Sequence, residues 1–282
     1  MEQVRSPAVA GSFYPADPVE LKGLIDECFV SSPLGPQGIK QVPSAMIAGM
    51  VPHAGYVYSG PCAAHLYGSL LDPAVKRVIV LGVNHWARGH RASLSPWPIW
   101  RTPLGEVVID QELSDSLEAR VRFLKPDVPA HAQEHSIEVQ LPFLERVLAD
   151  FTFLPISLSH LSEEECAELG AAIADLCKTA ADGKQKTLIL ASSDLSHYLS
   201  PKETEKLDRI ALERVLAVDP PGLLRVVEEK NISMCGVLPT AVMLFAAAAL
   251  GVKRARLLKH CHSGDVSPMR KVVGYASVAM EI

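Results

Sequence analysis

The chain has 282 residues, of which 48% are hydrophobic and 21% are charged, so it can bury a large core and has the composition of a globular protein. Its formal net charge is -5 with both signs intermixed, which argues against a nucleic-acid partner because such partners are bound through a basic patch or stripe. The longest apolar stretch, roughly residues 237–252, contains Pro239 and is shorter than the ~20 residues that a membrane span needs.

The beginning of the chain and its cysteines indicate the compartment. Residues 1–18 contain no apolar segment of the kind found in signal peptides. The six cysteines show no C-x-x-C pair and no regular spacing, as expected for reduced thiols. We therefore expect a cytoplasmic protein without a membrane partner, folded as a single domain over residues 1–282.

Helical and extended patterns alternate along the chain. After a Pro- and Gly-rich arm over residues 1–18, the patterns predict a helix at 20–29, a loop at 31–43, a strand at 46–51, a helix at 59–71, a strand at 78–82 and short strands within 91–110. They then predict helices from caps at Asp110 to 117 and at Ser136 to 149, a strand at 151–158, a capping box from Ser162 to Glu165 that starts a helix to 180, and a strand at 187–191. Helices at 201–218, 220–229 and 238–250 and strands at 254–261 and 272–280 complete the chain. This alternation predicts an α/β fold with a mostly parallel or mixed central sheet flanked by helices.

Three of the buried-type strands each lead into a loop that carries a histidine. The strands at 46–51 and 78–82 precede His53 and His85, and the strand at 187–191 precedes the pair Asp194-x-x-His197. Because ligands collect outside the carboxyl ends of the strands in open α/β sheets, one cleft could gather all three loops. The sequence therefore predicts a metal or acid/base site at this edge.

Candidate third donors and proton carriers lie near these loops. Cys235 stands just before an apolar helix, where a thiolate has a lowered pKa and can join His53 and His85 on a metal; a buried inert thiol is the alternative. Asp194 could fix the tautomer of His197 while the imidazole moves a proton. The alternative is that Ser193 or Asp194 caps the following turn and His197 lies on the surface.

Two further histidine patterns require interpretation. Residues 131–135, HAQEH, match the H-x-x-E-H pattern of inverted zinc peptidases, which needs both histidines on one helical face. Pro126 and Pro129 favour a loop here, in which Glu134 and His135 could enter the cleft as partners or proton carriers. His260 and His262 share one face of a predicted strand, either as a second metal pair or as part of a half-buried edge strand.

Several short segments, in this order, give the chain a resemblance to a known family. They are AGSFYP at 10–15, PHAGY at 52–56, LGVNH at 81–85, EHSIE at 134–138, SSDLSHY at 192–198, CG at 235–236 and GYA at 274–276. With them the chain resembles the MEMO family, the AmmeMemoRadiSam system protein B group, over nearly its whole length. That family is similar in fold to the class III extradiol (LigB-type) dioxygenases, which use non-haem iron.

The resemblance implies a metal held by His53, His85 and Cys235, with Asp194 and His197 beside it. In the related dioxygenases the third ligand is a carboxylate, and the softer thiolate of Cys235 makes copper or zinc alternatives to iron(II). Glu134, His135 and His260 would complete the cofactor site, His260 falling where relatives carry another residue type. The resemblance also implies radical-SAM and AMMECR-type partner proteins and, from animal members, a phosphotyrosine-peptide ligand.

These observations favour a cytosolic non-haem metal-dependent redox protein, a dioxygenase-like oxidoreductase in which His197, oriented by Asp194, moves protons to a small-molecule substrate. A second hypothesis is a non-catalytic binding module that uses the same cleft for a phosphotyrosine-like peptide or a small anionic ligand. A third is a zinc hydrolase built on His131, Glu134 and His135.

Overall fold

A computed structural model of the chain describes residues 3–39, 45–70, 72–179 and 185–282. The strands are β1 (Val4–Arg5), β2 (Met46–Val51), β3 (Val75–Val83), β4 (Ala92–Leu94), β5 (Ile99–Arg101), β6 (Glu106–Val108), β7 (Lys125–Pro126), β8 (Thr152–Leu158), β9 (Lys186–Ser192), β10 (His197–Leu199), β11 (Ala255–His262) and β12 (Val272–Glu281). The helices are α1 (Pro18–Val30), α2 (Tyr56–Tyr67), α3 (Gln111–Arg120), α4 (Pro129–Ala132), α5 (Leu141–Val147), α6 (Glu163–Thr179), α7 (Pro201–Leu216), α8 (Pro220–Glu229), α9 (Val237–Ala249) and α10 (Ser263–Val266), with a 3₁₀ turn at Glu138–Gln140.

A mixed sheet forms the centre of the molecule. Its strands run in the order β10-β12-β2-β9-β3-β8-β4-β7, with β11 paired to β12. Neighbours within β2-β9-β3-β8 are parallel, whereas β12 is antiparallel to β2 and β4 is antiparallel to β8. The predicted α/β fold, with helices around a mostly parallel or mixed sheet, is confirmed; its dioxygenase-like character stays a prediction.

Both faces of the central strands are buried, which explains their nearly continuous apolar sequences. Successive residues of β3 alternate between the two cores: Ile79 and Leu81 belong to the core that includes α6 and α9, whereas Val78 and Val80 face the core that includes α1 and α2. This period-two alternation fixes the register, because a slip of one residue would exchange the two packed faces.

Two predicted helix caps are present in the structure. Asp110 accepts a hydrogen bond from the backbone N–H of Leu113 at the start of α3. The capping box at α6 is also formed: the hydroxyl of Ser162 accepts from the N–H of Glu165, and the carboxylate of Glu165 accepts from the N–H of Ser162. Such reciprocal bonds satisfy two N–H groups that the helix itself leaves free.

Two predicted helix starts are wrong. Helix α2 begins at Tyr56 and includes Pro61, because the N–H of Tyr56 is held by the carbonyl of Phe13 in the N-terminal arm. Ser136 caps no helix: its hydroxyl bonds to the backbone of Val83 in β3, and α5 begins only at Leu141, delayed as expected by the following proline. In both cases a distant segment of the chain overrides the local signal.

The N-terminal arm, residues 3–17, is tied to the segment that carries Glu134 and His135. Strand β1 pairs with β5 in a three-stranded sheet with β6. Arg5 is buried, and its guanidinium donates to the carboxylate of Glu138 at 2.7 Å and to the carbonyl oxygens of His131 and Glu134. The arm is therefore part of the folded core.

Several predicted boundaries lie at the limits of what the structure describes. Residues 40–43 of the predicted loop and the predicted helix end at 180 fall outside the described residues, whereas the helix predicted to run to 71 ends at Tyr67. Within the described ranges, no helix combines the length and the apolar character that a membrane crossing requires. The six cysteines are free thiols, and four of them are buried.

Candidate metal centre

The loops after β2, β9 and β3 meet at one cavity of about 520 Å³ at the carboxyl ends of these parallel strands. Its lining includes the imidazoles of His53, His85, His135 and His197, the polar side chains of Asp194, Ser233 and Cys235, and the apolar or aromatic side chains of Phe13, Ala54, Tyr198 and Val273. The three loops that follow these strands therefore meet at one edge of the sheet, where the sequence predicts them.

Three of the imidazoles form a compact group. One ring nitrogen from each of His53, His85 and His135 lies within 4.8 Å of the other two, a spacing at which a single metal ion could bind all three. The rings of His85 and His135 are stacked with centroids 4.6 Å apart, and the ring of His53 stands nearly perpendicular to both. His135, expected beside the metal, is therefore placed among the donors.

Glu134 holds His85 and His135 in place through hydrogen bonds to its carboxylate. Its carboxylate accepts the Nδ1–H of His85 at 2.9 Å, together with the backbone N–H groups of His85, His135 and Ser136. Burial would raise the pKa of Glu134, but the hydrogen bond from His85, the neighbouring imidazoles and the Ser136 amide outweigh it and lower the pKa to about 2. The ionised carboxylate fixes the Nδ1–H tautomer of His85 and leaves its Nε2 as an acceptor.

His53 is the most enclosed of the three histidines. Its backbone N–H donates to Asp194 Oδ1 at 2.8 Å, and its Nδ1 lies 3.0 Å from the hydroxyl of Ser192 at the end of β9. Burial, followed by repulsion from His85, lowers the pKa of His53 to about 3. Burial, followed by repulsion from His53, likewise lowers the pKa of His135 to about 4, so both rings are uncharged at neutral pH.

Cys235, predicted as the third ligand, contacts His53. Its Sγ lies 3.1 Å from Nε2 of His53, close enough for the two atoms to share an ion. It is not one of the three mutually close donors, which are all imidazoles. Burial, followed by the charge of Asp194, raises the pKa of the Cys235 thiol well above its usual range, so without a metal the S–H donates to His53.

Asp194 and His197 both line the cavity, but their contacts differ from the predicted pairing. The carboxylate of Asp194 accepts the backbone N–H of His53, and burial raises its pKa. The Nδ1 of His197 lies 2.8 Å from each of the carbonyl oxygens of Leu195 and Ser233. Because a carbonyl oxygen only accepts, these two bonds, and no carboxylate, hold the His197 ring with a proton on Nδ1.

Other predicted candidates lie elsewhere. His260 bonds to Asp208 at 2.9 Å and lines a separate groove of about 320 Å³ against α7, so the turn after β11 does not bring it to the cavity. His131 is fully buried, with Nε2 3.0 Å from the carbonyl oxygen of Ser93, and is not in the imidazole group. The peptidase hypothesis is wrong because α4 ends at Ala132, before His135, so the two histidines share no helical face.

Three residues that shape the site have no local sequence signal for that role. Phe13, from the N-terminal arm, packs against His135 with ring centroids 4.5 Å apart and forms a wall of the cavity. Ser192 contacts His53 from the strand end; its position directly before Ser193 and Asp194 was visible, but a strand serine has no local signature of such a role. Ser233 likewise has no such signature, and its hydroxyl accepts the backbone N–H of His197.

Comparison with known proteins identifies the family. A family model described as Memo-like protein matches residues 5–279. MEMO1 family proteins from Methanopyrus kandleri and Sulfolobus acidocaldarius are 42% and 41% identical to the chain, covering 97% and 98% of it and 98% of each relative. One from Methanocaldococcus jannaschii is 39% identical, with 100% of both chains covered. The chain therefore belongs to the Memo-like protein family.

Proposed function

We propose that the protein is a metal-dependent redox protein whose cavity holds iron(II), with copper or zinc as the alternative ions. The observation that carries this proposal is the group of three imidazole donors, His53, His85 and His135, within 4.8 Å of one another. Cys235, next to His53, would be an additional donor. When bound, an iron or copper ion supplies electron transfer to a substrate in the same cavity.

The donor set fits a metal chemically. Metal-bound imidazoles must be uncharged, and the lowered pKa values of His53 and His135 satisfy this at neutral pH without loss of a proton. The Nδ1 of His85 is anchored on a carboxylate, the arrangement that orients histidine ligands in many metal sites. With its proton on Nδ1, His85 keeps a lone pair on Nε2 that can bind a metal ion.

The remaining residues suggest how a substrate is handled. His197 carries its proton on Nδ1, so its Nε2 can accept a proton from a group lying in the cavity. Phe13, Ala54 and Val273 offer apolar surface that would exclude water from part of the substrate. We assign proton transfer to His197 and give Asp194 the separate task of holding the backbone of the His53 loop.

A phosphotyrosine-like ligand is less well supported. Proteins that bind phosphorylated or acidic motifs do so mostly through clusters of arginine. Among the described residues that line this cavity there is no Lys or Arg, and Asp194 adds a carboxylate. The cytoplasmic location stays a prediction from the beginning of the chain and its cysteines, and the radical-SAM and AMMECR-type partners stay predictions from the family resemblance.

Metal analysis of anaerobically purified protein tests the proposal. We expect about one equivalent of metal in the wild type and in His90→Ala, whose side chain is exposed and outside the group, and a loss in His53→Ala and His135→Ala. Cys235→Ala then shows whether the thiolate is also needed. Equal, substoichiometric metal in all of these proteins would end the proposal, and peptide binding that survives a chelator would favour the binding module.

A further inference from the structure

Ser192 occupies a position from which it can decide which nitrogen of His53 carries the proton. It is fully buried at the end of β9, and its Oγ contacts three polar groups. It donates to the carbonyl oxygen of Ser136 at 2.6 Å, accepts from Nε2 of Gln140 at 2.8 Å, and lies 3.0 Å from Nδ1 of His53. A hydroxyl has one proton and two lone pairs, so these contacts use its full capacity.

The direction of each bond follows from its partner. The carbonyl oxygen of Ser136 can only accept, so it takes the proton of Ser192. The amide group of Gln140 presents its NH₂ to Ser192, since its Nε2 also lies 3.0 Å from the carbonyl oxygen of Pro52 and its Oε1 accepts the hydroxyl of Tyr67 at 2.7 Å. With its proton committed to a carbonyl, Ser192 is left with a lone pair for His53, and Nδ1 of His53 must be the donor.

We propose that Ser192, held in orientation by Gln140 and Tyr67, is a positioning residue that fixes His53 in the Nδ1–H tautomer and so turns the Nε2 lone pair toward the cavity. The contact of Nε2 with the thiol of Cys235 agrees with this, because Nε2 accepts there from S–H. His53 thus has a hydroxyl in the place where His85 has the carboxylate of Glu134.

Metal affinity should depend on this tautomer. If the opposite tautomer formed, Nε2 would carry a proton and could not bind an ion until the proton moved. Loss of a residue that orients a metal-bound histidine typically weakens metal affinity by about 10–100-fold. This part of the inference rests on the proposed metal site, whereas the tautomer itself does not.

The test uses nitrogen-15-labelled histidine in the full-length, metal-free protein. Long-range proton–nitrogen NMR correlations report which ring nitrogen is protonated, with His53→Ala assigning the signals. We expect the Nδ1–H form in the wild type and a shift toward the Nε2–H form in Ser192→Ala. Ser157→Ala is the matched control, because Ser157 is a fully buried strand serine whose hydroxyl has no hydrogen-bond partner among the described residues.

Titration with Co²⁺ completes the test. We expect an affinity about 10–100-fold weaker in Ser192→Ala, unchanged in Ser157→Ala, and reduced by a smaller factor in Gln140→Met, which covers the case that Ser192→Ala fails to fold. An Nε2–H tautomer in the wild type, or an unchanged tautomer in folded Ser192→Ala, would overturn the inference. If NMR shows the expected tautomers but the wild-type protein does not bind Co²⁺, the role of Ser192 is supported and the proposed metal site is wrong.

Discussion

The substitution Glu134→Gln tests how strongly the buried carboxylate supports the histidine group. Native contacts lower the pKa of Glu134 from 4.5 to about 2. Because one pKa unit is worth about 1.4 kcal/mol, these contacts favour the ionised form by about 3 kcal/mol. Glutamine keeps one acceptor oxygen, but its NH₂ group would face an N–H donor, such as the backbone amide of His85.

We therefore expect Glu134→Gln to lower the free energy of unfolding by about 3 kcal/mol at pH 7 and to weaken metal binding by about 10–100-fold. The pKa is lower in the folded state, so the stabilisation is complete above pH 4.5 and is lost as the pH falls toward 2. The difference in the free energy of unfolding between the wild type and Glu134→Gln should therefore become smaller as the pH falls from 4.5 toward 2.

Urea unfolding at pH 7, 5 and 3.5 measures this difference, with metal titration on the same samples. Glu229→Gln, exposed at the end of α8, is the control and should change stability by less than about 0.5 kcal/mol. A loss below about 1 kcal/mol at pH 7, or a difference that stays constant down to pH 3.5, would refute the assignment of Glu134 as the anchor.

Three further predictions concern the thiol, the packing around it and the arm. If the three imidazoles alone bind the metal, Cys235→Ala should leave the pH dependence of metal affinity unchanged. A Cys235 thiolate ligand would add a rise of about tenfold per pH unit that this substitution removes; isothermal titration separates the two. Gly236→Ala should cost about 1–3 kcal/mol in thermal unfolding, because the added Cβ would lie 2.4 Å from the Cβ of Ser193 in the loop after β9. Gly23→Ala, whose added Cβ would meet nothing within 4 Å, should stabilise α1 by up to about 1 kcal/mol. Arg5→Met should cost about 3–5 kcal/mol in urea unfolding by leaving Glu138 buried without its cation, and adding Glu138→Gln should recover part of the loss; strict additivity would contradict this coupling.

Local sequence signals predicted the fold where the local contact also forms in the folded chain. The period-two apolar pattern of β3, the capping box of Ser162 and Glu165 and the cap at Asp110 were all visible in the sequence. The starts of α2 and α5 were missed because the groups at those positions bond to distant segments, as Tyr56 does to Phe13 and Ser136 does to Val83. A local pattern cannot show such a bond.

Part of the candidate site could also be predicted from the sequence. His53 and His85 follow two buried strands, β2 and β3, that lie on either side of β9 in the sheet. The rule that ligands collect at the carboxyl ends of strands predicted one cleft for both histidines from the sequence. The role of His135 was underestimated, since HAQEH suggested a helix-based pattern that the chain does not form. The position of His135 instead depends on the carboxylate of Glu134 and on the arm that carries Phe13.

By itself the sequence determined the kind of fold, the edge at which chemistry-bearing side chains collect, and the family, because these follow from periodicity and from the order of short segments. Only the tertiary structure decided which side chains lie within bonding distance and which nitrogen each imidazole presents. The physical reason is that a histidine's tautomer is set by its hydrogen-bond partner, and the partners of His53 and His85, Ser192 and Glu134, come from chain segments far from them in sequence.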